Sequence, residues 1–255
     1  MKKGMVINMR YEELTIEGRN AVTEAFRAGK TIDRLFILDG CQDGPIKTII
    51  REAKKGDTII TFVKKERLDQ MSESGKHQGV IAYAAAYDYA EVDDILNAAK
   101  EKGEAPFIII LDGIEDPHNL GAMIRTANQA GAHGIIIPKR RAVGLTGTVA
   151  KVSAGAINYV PVAKVTNLVA TIEELKEKGL WFVCADMDGE VMYRQDLTGP
   201  IGLIIGGEGE GVSRLVKEKC DFITKIPMQG DIDSLNASVA MGILSFEIVR
   251  QRKFK

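Results

Sequence analysis

Apolar residues change period repeatedly along this chain, and the changes mark out its elements. A helical spacing covers Asn20 to Ala28 and stops at Gly29, and a short apolar run at Arg34–Leu38 reads as a buried strand. The alternation continues with a helix at Ile46–Ala53, a strand at Thr58–Val63, a helix at Glu66–Met71 and a strand at Val80–Ala84. Residues 1–84 therefore predict a small α/β domain. From 85 to 105 strand character is lost, and a helical stretch Val92–Lys100 ends at Gly103; this part reads as a connector. A second domain, 106–255, opens on Phe107-Ile-Ile-Ile-Leu111, the continuous apolar run of a strand covered on both faces. Strands follow at Gly134–Ile137, Tyr159–Val162, Leu180–Ala185, Gly202–Ile205 and Phe222–Ile226. Helices are expected at Leu120–Ala130, Leu168–Lys178, Val212–Lys219 and Leu235–Arg250. The order is that of a doubly wound parallel α/β sheet.

Composition narrows the class. At 255 residues with 45% hydrophobic and 27% charged positions, the chain can bury two ordinary cores. The apolar runs are strand-sized, too short to cross a bilayer, and none of signal-peptide length follows the basic start Met1-Lys2-Lys3. Cys41, Cys184 and Cys220 are odd in number and widely spaced, which fits reduced thiols and a cytoplasmic location. With no Cys-x-x-Cys and only three scattered histidines, no metal site is expected. Residues 1–85 carry a net +3 and residues 86–255 a net −4, a mild asymmetry that suits a polyanion contact on the first domain and equally suits two solvated domain surfaces.

Ligands of open parallel sheets gather at the carboxyl ends of the strands, and three such ends are unusual. The first, Leu111 to Arg125, contains Asp116-Pro117-His118-Asn119 leading into a helix. The second is Gly206-Gly-Glu-Gly-Glu-Gly211. The third runs from Ile226-Pro-Met228 to Ser234-Leu-Asn236. Glu208 and Glu210 oppose a pyrophosphate, and no Lys or Arg in the loop offsets them, so a phosphate-free ligand with positive charge suits it better. S-adenosylmethionine, with its adenosine and sulfonium, is such a ligand; a plain βα connection with exposed acids is the alternative. Asn119 and Ser234 also suit helix caps, and Arg125 suits a surface ion pair. In the last helix Leu235, Val239, Ile243, Phe246 and Val249 line one face, and Ala237, Met241, Leu244 and Ile248 a second. Ser238, Gly242 and Ser245 make a small-residue stripe. Burial inside the domain and a subunit interface both explain this.

Together the three loops resemble the motifs of the SpoU (TrmH-like) branch of the SPOUT RNA 2′-O-methyltransferases. The resemblance spans DPHNLGAMIRTANQAGAHGIII, LIIGGEGEGVSRLV and IPMQGDIDSLNASVAMGILSFEIVRQR, residues 106–252. Glu17-Gly-Arg-Asn-Ala-Val22 and His77-Gln-Gly-Val-Ile-Ala82 resemble that family's L30e-like substrate-binding domain, a layout similar to the RlmB kind that methylates a guanosine ribose in 23S rRNA. The resemblance implies a trefoil knot, a homodimer, S-adenosylmethionine as cofactor, and RNA as partner, 23S rRNA ahead of tRNA. By position it implies Asn119, Arg125, Glu208, Ser234 and Asn236 as catalytic-site residues. Gly206, Ile226 and Leu235 match the cofactor contacts, with Met228 beside them. Arg125 is either the proton acceptor or an electrostatic stabiliser; a guanidinium gives up its proton too reluctantly to serve as a base, which favours the second role. Two other classes stay open at this stage, an RNA-binding module without activity and a nucleotide-dependent dehydrogenase.

Overall fold

The computed structural model describes residues 14–231 and 234–254. The chain forms two compact units. Of the described residues, one holds 14–88 together with 144–148, and the other 89–143 and those from 149 on.

The first unit runs β1 (Leu14–Glu17), α1 (Arg19–Arg27), β2 (Ile32–Leu38), α2 (Gly44–Lys55), β3 (Ile59–Val63), α3 (Lys65–Met71) and β4 (Val80–Ala84). Its sheet has the order β1-β4-β2-β3, with β2 and β3 parallel and β4 antiparallel to both its neighbours. Leu35, Ile37, Val80 and Ala82 are buried with Val22 and Ala25 of α1 and Ile46, Ile49 and Ala53 of α2. Each helix thus puts its apolar stripe on one sheet face. Asp43 caps α2 by accepting from the Ile46 amide at 3.2 Å, and Pro45 follows in the first turn. Strand β1 was not expected from the sequence. Its four residues are too few to establish a period, and pairing with β4 makes them a strand.

The second unit begins with α4 (Val92–Lys102), inside the stretch expected to be a connector. Its Ile95 and Ala99 are fully buried, and Ile95 shares a core with Ile108, Ile136, Leu168, Ile172 and Phe182. Gly134 makes this possible, because a Cβ there would meet the Ile95 side chain at 2.5 Å. Then come β5 (Phe107–Asp112), α5 (Pro117–Gln129), β6 (Gly134–Pro138), α6 (Gly147–Val152), β7 (Val162–Val165) and α7 (Leu168–Glu177). The chain closes with β8 (Trp181–Val191), β9 (Ile201–Gly206), α8 (Arg214–Lys217), β10 (Phe222–Lys225) and α9 (Ala237–Lys253). The six strands are all parallel in the order β10-β8-β9-β5-β6-β7. Central β5 is buried at every residue, as its unbroken apolar run requires.

Several boundaries move. The strand expected at Tyr159–Val162 begins only at Val162, because a 3-10 turn at Ala156–Asn158 and Pro161, which has no N–H, precede it. Helix α8 is four residues long, where eight were expected. Strand β8 continues six residues past Ala185, the expected end. Helix α6 was not foreseen. The last helix starts at Ala237 and not at Leu235. All three cysteines are free thiols. Among the described residues no helix is long and apolar enough to cross a membrane, and no group of three or more His, Cys, Asp or Glu is placed to hold a metal ion.

Candidate functional site

The three unusual strand ends come together at the carboxyl edge of the second sheet. After β5 the chain turns at Gly113 and enters α5, whose N-cap is Asp116, accepting from the His118 amide at 3.0 Å. Asn119 was a candidate cap. It lies two residues inside the helix instead, and with Asp116 taking the cap its side-chain amide is available to other partners. Asn236, and not Ser234, caps α9: its Oδ1 accepts from the amides of Ser238 (3.0 Å) and Val239 (3.4 Å) and from the Ser238 hydroxyl (2.6 Å). That leaves the Asn236 amide to donate to Glu208 Oε1 at 2.6 Å and Asn119 Oδ1 at 2.9 Å. Asn119 Nδ2 donates to the same Glu208 oxygen at 3.1 Å. One residue from each loop thus joins a single hydrogen-bonded cluster.

The glycine loop is held from beneath. Gly207 donates to the Asp112 carbonyl at 2.8 Å, and the buried Asp112 carboxylate accepts from the Ser213 amide at 2.8 Å, bracketing the loop at both ends. A Cβ on Gly206 would lie 2.0 Å from the Gly211 carbonyl carbon, and one on Gly207 would lie 2.3 Å from the Gly113 oxygen. The loop is therefore glycine-rich because its backbone folds on itself and on the β5 turn. No anion needs to be invoked for it. Asp112 was not singled out from the sequence; a carboxylate ending a fully buried strand was the signal for it.

Beside the cluster lies a cavity of about 900 Å³. Gly206 to Gly211 form one wall, Ile226, Pro227 and Met228 another, and Ser234 to Ala237 with Ala240 and Leu244 a third. Of the positions expected to contact a cofactor, Gly206, Ile226, Met228 and Leu235 all line it. Of the expected catalytic positions, Glu208, Ser234 and Asn236 line it and Asn119 touches two of them. Arg125 is the exception. It is exposed on α5, does not line the cavity, and makes no hydrogen bond or ion pair with the described residues. The structure also adds Ala185, Asp186 and Met187, which no sequence signal had marked.

A model of the SpoU rRNA methylase family matches residues 106–246, more than half of the chain. The chain belongs to this family. A second model, for RNA 2′-O ribose methyltransferase substrate binding, matches residues 15–90. YacO of Bacillus subtilis, named for the TrmH family of tRNA/rRNA methyltransferases, is 52% identical over 236 residues, covering 92% of this chain and 94% of its own. A Staphylococcus saprophyticus protein of the same name is 48% identical over 244 residues, covering 95% and 98%. Among solved structures, the SpoU methyltransferase AviRb of Streptomyces viridochromogenes, in complex with AdoMet, superposes with a TM-score of 0.60. It covers 94% of this chain and 90% of its own at 23% identity, a likeness of fold. The TrmH/SpoU tRNA modifying enzyme of A. aeolicus reaches a TM-score of 0.54 and 30% identity over 59% of this chain and 77% of its own. This SpoU family member is an RNA methyltransferase by descent, and the cluster and cavity lie within the span the family model matches.

Proposed function

We propose that this SpoU protein transfers a methyl group from S-adenosylmethionine to a ribose 2′-hydroxyl of RNA, with a guanosine of 23S rRNA as the expected target. The observation that carries this is the convergence of Asn119, Glu208 and Asn236 beside a phosphate-averse, apolar-walled cavity. The cavity fits the cofactor in size, since pockets for molecules of this class measure roughly 300–1,000 Å³. It also fits in chemistry: Ile226, Pro227, Met228, Leu235 and Leu244 suit an adenine, and Glu208 and Glu210 suit positive charge. When bound, S-adenosylmethionine supplies an electrophilic methyl group on a sulfonium.

The protein's own groups divide the remaining work. The Asn119–Glu208–Asn236 cluster fixes three polar side chains so that they can orient the ribose. Ser234, exposed at the cavity rim, adds a hydroxyl. Arg125, free among the described residues, is available to an RNA phosphate and to the alkoxide that develops at the 2′-oxygen, a task suited to a planar guanidinium. The 14–88 unit supplies RNA recognition, supported by its match to a substrate-binding family and by the net positive charge of residues 1–85.

Two further features complete the proposal. The sheet order sends the chain from β7 across to β8, back to β9 beside β5, and out again to β10, which supports a trefoil knot around the second and third motifs. On α9, Val239 and Phe246 are each 49% exposed and Leu235, just before it, 36%, which supports a second copy of the chain covering this stripe.

The test is methyl transfer from labelled S-adenosylmethionine to 23S rRNA and to tRNA, followed by alkaline hydrolysis and mapping of resistant linkages. Label in a hydrolysis-resistant linkage of 23S rRNA is expected. Label on a base overturns the 2′-O assignment, label in tRNA alone reassigns the substrate, and no label on either RNA overturns the activity.

A further inference from the structure

Strand β8 carries a long irregularity that the family motifs do not explain. Its pairing with β10 runs Phe222 to Val183 and Ile223 to Cys184, then jumps so that Thr224 faces Glu190 and Lys225 faces Val191. Residues 185–189 therefore leave the ladder between two consecutive residues of β10, and Gly189 returns the chain so closely that a Cβ there would meet the Ile223 carbonyl carbon at 2.6 Å. The excursion places Asp186 in the cavity wall, with its side chain 23% exposed. It is a built position: Lys217 of α8 lies 2.8 Å from Oδ2, and the Asp188 amide donates to Oδ1 at 3.0 Å. Partial burial works against the Asp186 charge, but Lys217 and the Asp188 amide outweigh it and hold the carboxyl below its ordinary range.

The cavity thus has acids of two kinds. Glu210 lines it with no cationic partner among the described residues, and Glu208 is bonded only by neutral amides. Neither carboxylate is offset by a cation among the described residues, so both suit the cationic end of a ligand. Asp186 is paired with Lys217, which also lies 3.7 Å from Asp188 Oδ2, so its charge is more offset than that of Glu208 or Glu210 and it is the poorer counter-ion for an ammonium. Each of its oxygens nevertheless keeps a lone pair beyond the one in use. A carboxylate of that kind selects neutral hydrogen-bond donors, and the vicinal hydroxyls of a ribose are donors of this type.

We propose that Asp186 is a ribose-recognition residue of the cofactor cavity, accepting a hydroxyl of the nucleoside diol while Lys217 holds its carboxylate in place. The assignment rests on the cofactor reading above and goes beyond it by naming the subsite. Lys217 is a positioning residue. Glu208 and Glu210 are left to the charged end.

Calorimetry on the full chain tests this with three probes: S-adenosylhomocysteine, its 2′,3′-dideoxyribose analogue, and methylthioadenosine, which lacks the amino-acid end. Wild type is expected to bind S-adenosylhomocysteine about 10-fold or more tighter than the dideoxy analogue, the scale of one charge-assisted hydrogen bond. Asp186→Ala should bring that preference to within about twofold, and should leave the ratio of S-adenosylhomocysteine to methylthioadenosine as in wild type. Asp186→Asn, which keeps the shape of the wall, should fall between the two. Lys217→Met should weaken the preference by less than Asp186→Ala does, and leave the affinity for the dideoxy analogue near wild type. The proposal is overturned if wild type does not discriminate against the dideoxy analogue, if either Asp186 variant keeps full discrimination, or if Asp186→Ala changes the methylthioadenosine ratio instead. Wild type that binds none of the three probes would overturn the cofactor reading itself.

Discussion

Asn236 performs two jobs with opposite ends of one amide, and substitutions can separate them. Its oxygen caps α9 through the Ser238 and Val239 amides, and its nitrogen ties Glu208 to Asn119. Asn236→Ser keeps a capping oxygen and loses the two links, a cost of about 1 kcal/mol because the cluster is exposed to water. Asn236→Ala loses the cap as well, and another ~1 kcal/mol with it. Asn236→Asp keeps the cap but sets a carboxylate oxygen where a donor lay 2.6 Å from Glu208 Oε1. Two unit charges at that distance repel by about 1.5 kcal/mol even at the dielectric constant of water. The Asp variant should therefore be less stable than the Ser variant by about that amount at pH 8. The pH sign follows from linkage. Repulsion in the folded state raises the pKa of the acid pair above its unfolded value, so the penalty is full above the raised pKa and is relieved as pH falls through it. Urea unfolding of the Asp and Ser variants at pH 8 and pH 4 gives the comparison, and their gap should close at pH 4. If the gap is the same at both pH values, Glu208 and residue 236 are not in contact and the proposed three-loop cluster is wrong.

Arg125→Ala should lower single-turnover methylation by about 100-fold while leaving the unfolding midpoint unchanged, because the guanidinium has no partner among the described residues to lose; a normal single-turnover rate removes Arg125 from the mechanism. Gly206→Ala should abolish S-adenosylhomocysteine binding and destabilise the protein by ~3 kcal/mol, since the new methyl group meets the Gly211–Val212 backbone at 2.0–2.2 Å; wild-type affinity in calorimetry contradicts the loop geometry. A fragment of residues 89–255 should fold and bind that ligand, whereas one of residues 105–255 should melt well below it, because removing α4 takes away a fully buried Ile95 that alone contributes about 1.5–3 kcal/mol; equal melting temperatures by circular dichroism refute this. Glu17 is drawn from water, which raises its pKa. Hydrogen bonds from the Ser72 and Ser74 hydroxyls and the Glu73 and Ser74 amides outweigh this and bring it to about 2. A depressed acid stabilises the fold above its unfolded pKa, so Glu17→Gln should cost about 1 kcal/mol at pH 7, well short of the full shift because water screens this accessible carboxylate, and progressively less as pH falls from about 4.5 toward 2, in paired urea titrations. A gap that does not change with pH counts against the Glu17 contact.

Elements whose cause is local are legible along the chain. The unbroken Phe107–Leu111 run reads as a strand buried on both faces and is one, and the helix stop read at Gly103 is the left-handed C-cap of α4. Local order also delivered the three loops as loops, and their resemblance to the family's motifs pointed to Gly206, Glu208, Ile226, Met228, Ser234, Leu235 and Asn236, all of which line the cavity. Other features depend on distant partners. Leu14–Glu17 is a strand because β4 lies beside it, and α4 belongs to the second unit because Gly134, 39 positions beyond Ile95, leaves room for that side chain. Asn119 and Ser234 both read as helix caps along the chain and neither is one; only the folded arrangement shows that Asn236 caps α9 and that Asn119 and Asn236 bind the same Glu208 carboxylate. Asp186 was silent in the sequence, since its place in the wall comes from a register jump against β10 and its charge state from Lys217, 31 residues away. Helix and strand signals repeat within a few residues and can be read along the chain. A hydrogen bond between loops is decided by where the sheet order puts their ends, and that order is a property of the whole folded domain.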